Sequence, residues 1–504
     1  MTTATEPACL QLSLADYPGM NPFVLDWMNG KVDALLPRSV GGEGGRRPDE
    51  GASPDLVNAL IESNKRWGLF VRDEVERWAR GESVALIAGQ QVGFAGGPLY
   101  TLAKLASLLK LKKQFPNATV FFWLATEDHD FDEAATLSLP VANNQLDLMH
   151  IAVSHAVDSK AMVGPQLVPE PLIADLLAQL QIPRPSWLRE GITFRDSFAE
   201  LIAHVFAHEK IVLVDALLPE LRRAGAALFH QIAKRAGEVQ SALAARSSAL
   251  AKAGYVPQVV PREGDGYTLF FRIDEHGNRE VMQAPFDIGD PATISTSALT
   301  RPLLQDYVFR PAVFMGGPSE VAYYAQIAPL HDLLGIPLPR VALRGHALVA
   351  PKRVTRAFQR YQLEPREVFR NADEILAERE PESVARVRKL SEEGKRELLA
   401  RIAEIGDIAL PAEHALARAI NRSIGHIEYH FNKLSERAIK GLARKDRERL
   451  LAVRELVATL FPDRHVQDRV VGWIPFFCRY DGLLIERMID EIEPDAPVCR
   501  IIAL

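Results

Sequence analysis

The sequence predicts an α/β protein: a parallel sheet covered by helices on both faces, followed by a pair of long helices. Three observations carry this. Short apolar runs recur at Val84–Ala88, Thr119–Ala125, Ile211–Asp215, Ala312–Met315 and Leu338–Leu343, separated by helical stretches. The first two flank a glycine turn and an apolar helix, which makes a βαβ unit with parallel strands. Far downstream, Leu416, Ile420, Ile424, Ile427, Phe431 and Leu434 alternate in steps of four and three, the seam of a coiled coil.

Composition narrows the class. The chain has 504 residues, 47% hydrophobic and 25% charged, which excludes wholesale disorder. Lys and Arg total 59 against 65 for Asp and Glu, a formal charge of −6. That balance disfavours a general nucleic-acid binder, which needs clustered cations. The cysteines, Cys9, Cys478 and Cys499, form no CxxC pair, so neither a zinc ribbon, a redox dithiol nor a disulfide framework is expected. There is no basic segment leading into an apolar one at the N-terminus, and no run of about 18 apolar residues, so neither a signal peptide nor a membrane span is expected. The expected location is cytoplasmic.

The elements follow in order. Residues 1–140 hold the first part of the core, with a Gly/Arg-rich surface loop between Pro37 and Pro54 and helical periodicity from Leu56 to Arg80. Pro98 suits the first turn of a helix whose apolar face is Leu99, Leu102, Leu105, Leu108 and Leu109. Residues 141–210 read as a mostly helical insertion, and 211–217 as a core strand. A second insertion, 218–300, holds a long helix over 219–253 and a β-hairpin over 268–284 that turns at Glu275-His276-Gly277-Asn278. Residues 301–350 complete the core. The helical coiled-coil domain, 351–460, folds back as an antiparallel pair after a break at Gly406–Pro411, and 461–504 docks onto another part of the fold.

Three stretches carry chemistry. The turn Gly89-Gln90-Gln91-Val92-Gly93-Phe94-Ala95-Gly96-Gly97-Pro98 lies between a strand and a helix, where open α/β sheets bind ligands. Its glycines and the helix N-terminus suit an anion, yet it is neither a dinucleotide fingerprint nor a P-loop. The acidic run Glu127-Asp128-His129-Asp130-Phe131-Asp132-Glu133 follows the second strand and should sit beside that turn. Crowded carboxylates there could hold an amine, bind a metal or act as a general base; the spacing matches no standard ligand pattern, so no metal is expected. A second Gly-Gly-Pro turn, Gly316-Gly317-Pro318, leads into a helix bearing Glu320 and Tyr323. Arg301 and Arg340 are candidate carboxylate clamps. His426 and His430 lie four apart on the long helix and read as coiled-coil surface residues.

These residues together resemble the bacillithiol-biosynthesis cysteine-adding family, the bacillithiol synthases. The resemblance rests on Gly89-Gln90-Gln91-Val92-Gly93, Gly97-Pro98-Leu99-Tyr100 with Lys104, Trp123, Glu127-Asp128-His129-Asp130, Arg301-Pro302, Gly316-Gly317-Pro318 with Glu320 and Tyr323, and Pro339-Arg340. Gln467-Asp468-Arg469 looks like the family's Gln-Glu-Arg, with Asp for Glu. The resemblance implies a Rossmann-like core with connecting-peptide insertions, an antiparallel coiled-coil domain, and a homodimer formed through it. It implies a ligase that adds L-cysteine to glucosaminyl malate, with ATP as a candidate activator. The core is similar to those of nucleotidyl transferases, whose His-x-Gly-His signature is replaced here by Gly89-Gln90-Gln91.

On this expectation Glu127, Asp128, His129 and Asp130 are catalytic. Gly89, Gln90, Gln91, Gly93, Gly96, Gly97, Tyr100, Lys104, Arg301, Gly316, Gly317, Glu320, Tyr323 and Arg340 bind substrate or nucleotide. Replacing Asp128 or His129 by alanine should abolish turnover. Two other readings remain at this point: a nucleotidyl transferase acting on another small molecule, and a non-catalytic dimeric scaffold.

Overall fold

The computed structural model describes residues 10–38, 51–141, 144–153, 161–261, 266–377, 382–409 and 416–504. Most of the predicted loop between Pro37 and Pro54 lies outside them. The chain divides into two units, Met1–Ala350 with Pro462–Leu504, and Pro351–Phe461.

The first unit is built on five parallel strands: β1 (Ala85–Gln90), β2 (Thr119–Leu124), β3 (Ile211–Asp215), β4 (Val313–Gly316) and β5 (Arg340–Leu343). Their spatial order is β5-β4-β1-β2-β3. The chain steps outward from β1 to β2 and β3, then returns to place β4 on the other side of β1. The strand order therefore reverses between β1 and β4, and a crevice opens at their carboxyl ends. The α/β fold with a helical C-terminal unit is as expected.

Both faces of the sheet are covered, so these strands lack polar alternation. All six residues of β2 are buried. Trp78, Phe121 and Phe309 form one aromatic cluster, with ring centroids 4.8–5.1 Å apart. Gly89 is required by the close β1–β2 approach: a Cβ there would stand 2.8 Å from the Cβ of Trp123.

Three sequence expectations need correction. First, the insertion at 141–210 is less helical than expected, because it opens on a strand pair. Thr136–Val141 pairs antiparallel with Asn144–Ala152, and helices begin only at Glu170. Second, 219–253 is three helices, Pro219–Ala224, Ala226–Lys234 and Ala236–Lys252. At the first break, a Cβ on Gly225 would lie 2.2 Å from Leu304 Cδ1, so the backbone itself packs on its neighbour. Third, the hairpin Phe270–Ile273 with Arg279–Val281 gains another strand, Ile294–Thr296. Its turn is held by Asp274, whose Oδ1 accepts from the N–H groups of His276 and Asn278 at 2.8 and 2.7 Å.

The C-terminal segment returns to the first unit. Val498–Ala503 pairs parallel with His346–Ala350 and antiparallel with Leu10–Ser13. On the other side of His346–Ala350, the Gln467 amide replaces a strand. Its Oε1 accepts from Val349 N at 2.7 Å and its Nε2 donates to Val349 O at 2.8 Å. The two bonds satisfy a buried peptide group that no strand pairs. They also set the next residues in place, Asp468 buried behind the crevice wall and Arg469 lining it.

In the second unit, Glu382–Ala409 packs along Leu416–Leu460. Gly394 lies against the Phe431 ring, and each is 15 residues from the near end of its helix, the pairing of an antiparallel hairpin. The first helix runs through Gly406 to Ala409; the remainder of the expected break lies outside the described residues. Ile420, Ile424, Ile427 and Phe431 are half-buried along the seam, but Leu434 is 68% exposed. The seam continues instead through Ser435 and Ala438. Near the other end of the long helix, Val453, Leu456 and Leu460 are fully buried, and Arg353 and Arg454 pair with Glu455 and Asp373.

Candidate functional site

A cavity of about 660 Å³ opens at the switch point between β1 and β4. Of the expected site residues, Gly89, Gln90, Gln91, Tyr100, Lys104, Asp128, Arg301, Gly317 and Glu320 line it. So do Trp123, Asp132, Glu133, Ser138, Ser319, Arg344 and Arg469.

The floor is a polar network around Lys104, on the helix Leu99–Lys112 that follows β1. Its ammonium is buried and donates to Gly89 O at 2.7 Å, Gln90 Oε1 at 3.1 Å and Glu320 Oε2 at 2.5 Å. Glu320 sits in the first turn of Pro318–Leu334 and also accepts from Gly317 N at 2.8 Å. Burial alone would raise its carboxyl. Lys104, Arg301 and the Gly317 N–H outweigh this and hold it below the ordinary value. Burial lowers the Lys104 ammonium, against the pull of Glu320. The pair therefore joins the carboxyl ends of β1 and β4 by side chains 216 residues apart.

Arg301 differs from Lys104. It begins the helix Arg301–Phe309, lines the cavity, and its side chain has no hydrogen bond or ion pair among the described residues. A guanidinium so placed suits a carboxylate or phosphate. The indole N–H of Trp123 is also buried at this wall, with no partner among the described residues.

Carboxylates line another part of the cavity, with unequal environments. Asp128 accepts from His129 N at 2.7 Å; burial raises its carboxyl, but bonds from His129 and Asp130 bring it below the ordinary value. Burial, then the charges of Asp130 and Asp128, raise Glu133. Burial, with Glu133 next, pushes the Tyr100 phenol up to about 12. Tyr100 accepts from Gln90 Nε2 at 3.3 Å.

The other expected residues lie elsewhere. Glu127 is buried away from the cavity, accepting from Ser295 Oγ at 2.6 Å and Thr296 Oγ1 at 2.9 Å, with Arg222 Nη2 3.6 Å away. It anchors the second insertion to the core. Asp130 caps the short helix Phe131–Ala134 by accepting from Glu133 N, and its carbonyl accepts from Gln91 Nε2. His129 is exposed beside Asp128 and does not line the cavity. Gly93, Gly96, Gly97, Gly316 and Tyr323 do not line it either. Gly96 has φ +86°, and a Cβ there would lie 2.5 Å from the Trp473 indole nitrogen, which donates to Gly96 O at 3.0 Å. The N–H of Leu99 is taken by Val471 O at 2.8 Å, so the first helical amide is not available to an anion.

Arg340 is at the start of β5, and its guanidinium holds Asp495 at 2.6 Å in a separate cavity with Trp27 and Arg38. The residue that reaches the crevice from this strand is Arg344, four positions on, about 13 Å along an extended chain. Sequence reasoning missed Arg344; the rule that ligands sit at the carboxyl ends of strands is the signal that favours it over Arg340. Arg469 and Asp468 were visible only as part of a resembling tripeptide.

Comparison with known proteins agrees with this architecture. Residues 45–287 and 287–345 match the model of the bacillithiol biosynthesis BshC N-terminal Rossmann-like domain, and 347–504 match that of its C-terminal coiled-coil domain. The chain belongs to the BshC family. A relative from Solibacter usitatus is 28% identical over 470 residues, covering 85% of this chain and 86% of its own. One from Koribacter versatilis is 29% identical over 479 residues, covering 87% and 88%. One from Staphylococcus carnosus is 25% identical over 387 residues, covering 69% and 70%. All three are named "putative cysteine ligase BshC". Of the residues that carry the resemblance, those lining the crevice include Gly89, Gln90, Gln91, Tyr100, Lys104, Trp123, Asp128, Arg301, Gly317 and Glu320, whereas Glu127 and Arg340 are held by other partners outside it.

Proposed function

We propose that the chain is a ligase that joins the carboxyl group of L-cysteine to the amine of glucosaminyl malate, forming bacillithiol. The observation that supports this most is the mixed charge of one crevice: Arg301, with no hydrogen bond or ion pair among the described residues, and Asp128 and Glu133 on the same cavity. An amino acid and an amino-sugar malate bring both ammonium and carboxylate groups, and such a site matches both. The family membership and the names of the relatives point the same way.

The chemistry divides between the two carboxylates. Asp128, held ionised, binds an ammonium. Glu133, with its carboxyl raised, accepts a proton from the sugar amine as that amine attacks. Arg301 holds a malate carboxylate, whereas Arg340 is paired with Asp495 outside the crevice. Amide formation from a carboxylate and an amine in water requires an activated acyl group. ATP is the proposed activator, with AMP and pyrophosphate or ADP and phosphate as leaving products.

Reconstitution with cysteine, glucosaminyl malate and ATP, read by mass spectrometry, tests the reading. Bacillithiol formation that stops when ATP is omitted is expected. Cysteine-independent pyrophosphate release would favour a nucleotidyl transferase of another substrate instead.

The same reading includes a cytoplasmic setting and a homodimer through the coiled coil. No helix of the described residues is long and apolar enough to cross a membrane. Leu390, Ile405, Ile408 and Leu434 are exposed on the two long helices, apolar area that a second copy could cover. Light scattering should give twice the 55.9 kDa chain mass.

A further inference from the structure

Arg344 follows β5 at its carboxyl end and lines the crevice, yet its side chain is only 4% exposed. A guanidinium carries five N–H donors. Here Nη1 donates to Gly345 O at 3.1 Å and Nη2 to Asp468 Oδ2 at 3.2 Å. The other three donors find no acceptor among the described residues. A buried cation with idle donors on a cavity wall is costly unless an anion completes it.

Its support is built from distant parts of the chain. Asp468 is fully buried and accepts from the Tyr17 hydroxyl as well as from Arg344. Burial, then the Asp468 charge, raises the Tyr17 phenol well above 10, so it stays a donor. Arg469 lies 5.7 Å from the Tyr17 ring centroid and lines the same cavity. His346 packs edge-on against Tyr17, and burial, with Arg344 and Arg469 next, keeps its imidazole neutral. Asp468 thus offsets one of two guanidinium charges, and this part of the crevice wall keeps a net positive charge. Tyr17 precedes residue 45, where the family match begins.

We propose that Arg344 binds a substrate carboxylate, and that Tyr17 and Asp468 are positioning residues that aim its guanidinium. Naming that group as the second carboxylate of the malyl unit, beside the one held by Arg301, rests on the ligase reading.

The test titrates L-malate and, separately, inorganic phosphate into the full chain and its Tyr17→Phe, Asp468→Asn and Arg344→Gln variants by calorimetry. Steady-state kinetics run in parallel. Tyr17→Phe should weaken L-malate and raise KM for glucosaminyl malate by about fivefold, and Arg344→Gln by about 50-fold. The kcat and the KM for cysteine should hold in Tyr17→Phe. Unchanged L-malate affinity in Tyr17→Phe and Arg344→Gln would overturn the proposal. So would a loss confined to inorganic phosphate, or a fall in kcat at constant KM. Thermal melting identifies an Asp468→Asn variant that fails to fold, and Tyr17→Phe keeps the test open in that case. The calorimetry needs no turnover, so an inactive wild-type protein would sink the ligase reading without deciding this one.

Discussion

The Lys104 ammonium lies 2.5 Å from Glu320 Oε2, tying the helix after β1 to the helix after β4. Both side chains face the crevice, but their charges are spent on each other and on Gly89 O, Gln90 Oε1 and Gly317 N. Removing one partner leaves the other charged and buried, which costs about 3–5 kcal/mol in comparable pairs. Lys104→Met should therefore lower the thermal midpoint strongly. Lys104→Met combined with Glu320→Leu should recover part of the loss. Additive losses in the double variant would show that the two do not act as a pair.

Acidification acts on the same pair. Folded Glu320 binds a proton less readily than it does in the unfolded chain, because its carboxyl is held below the ordinary value of 4.5. The unfolded state takes up protons first as pH falls, so its contribution is complete above that value and lost below it. Melts of wild type and Glu320→Gln should differ most near neutrality and converge at lower pH. A gap that widens on acidification would contradict the assignment.

Arg301 and Arg340 separate cleanly in function. Arg301→Ala removes a guanidinium that makes no hydrogen bond or ion pair among the described residues, and should raise KM for the carboxylate substrate by about 10–100-fold. Arg340→Ala breaks the contact to Asp495 at 2.6 Å, outside the crevice, and should leave KM and kcat within about twofold. Initial-rate kinetics on both variants check this.

The acidic run should divide in the same way. Asp128→Asn should reduce turnover by about 100-fold while the melt is nearly unchanged. His129→Ala should retain most activity, against the expectation from sequence, since that side chain does not line the cavity. Glu127→Gln should instead destabilise the protein, because Ser295, Thr296 and Arg222 all converge on Glu127. Rates and melts measured together distinguish the three.

Gly96→Ala should cost stability, about 1–3 kcal/mol, because the new methyl would meet Trp473 at 2.5 Å in a φ +86° conformation. A melt matching wild type would mean the indole can retreat freely.

Much of this was legible because it is local. The apolar runs at 85–90, 119–124, 211–215 and 313–316 show themselves as strands buried on both faces, whose composition does not depend on partners. The glycine turns mark where β1 and β4 end, hence where the crevice opens. The Asn144–Ala152 strand is not legible locally because it is defined by its pairing with Thr136–Val141, not by an apolar run of its own. Leu434 fits the seam by spacing, but the helix phase drifts and carries Ser435 there instead.

The sequence by itself determined the α/β core, the coiled-coil hairpin and the neighbourhood of Gln90, Asp128 and Arg301, since strand patterning and the switch-point rule locate them. Only the tertiary structure decided which charges remain available to a ligand. Lys104 and Glu320 neutralise one another, Glu127 is consumed by an insertion, and Arg340 by Asp495, while Arg301 makes no hydrogen bond or ion pair among the described residues. Arg344 gained its place through Tyr17 and Asp468, one near each end of the chain. The physical reason is that a charge is defined by its partners, and here those partners lie hundreds of residues away.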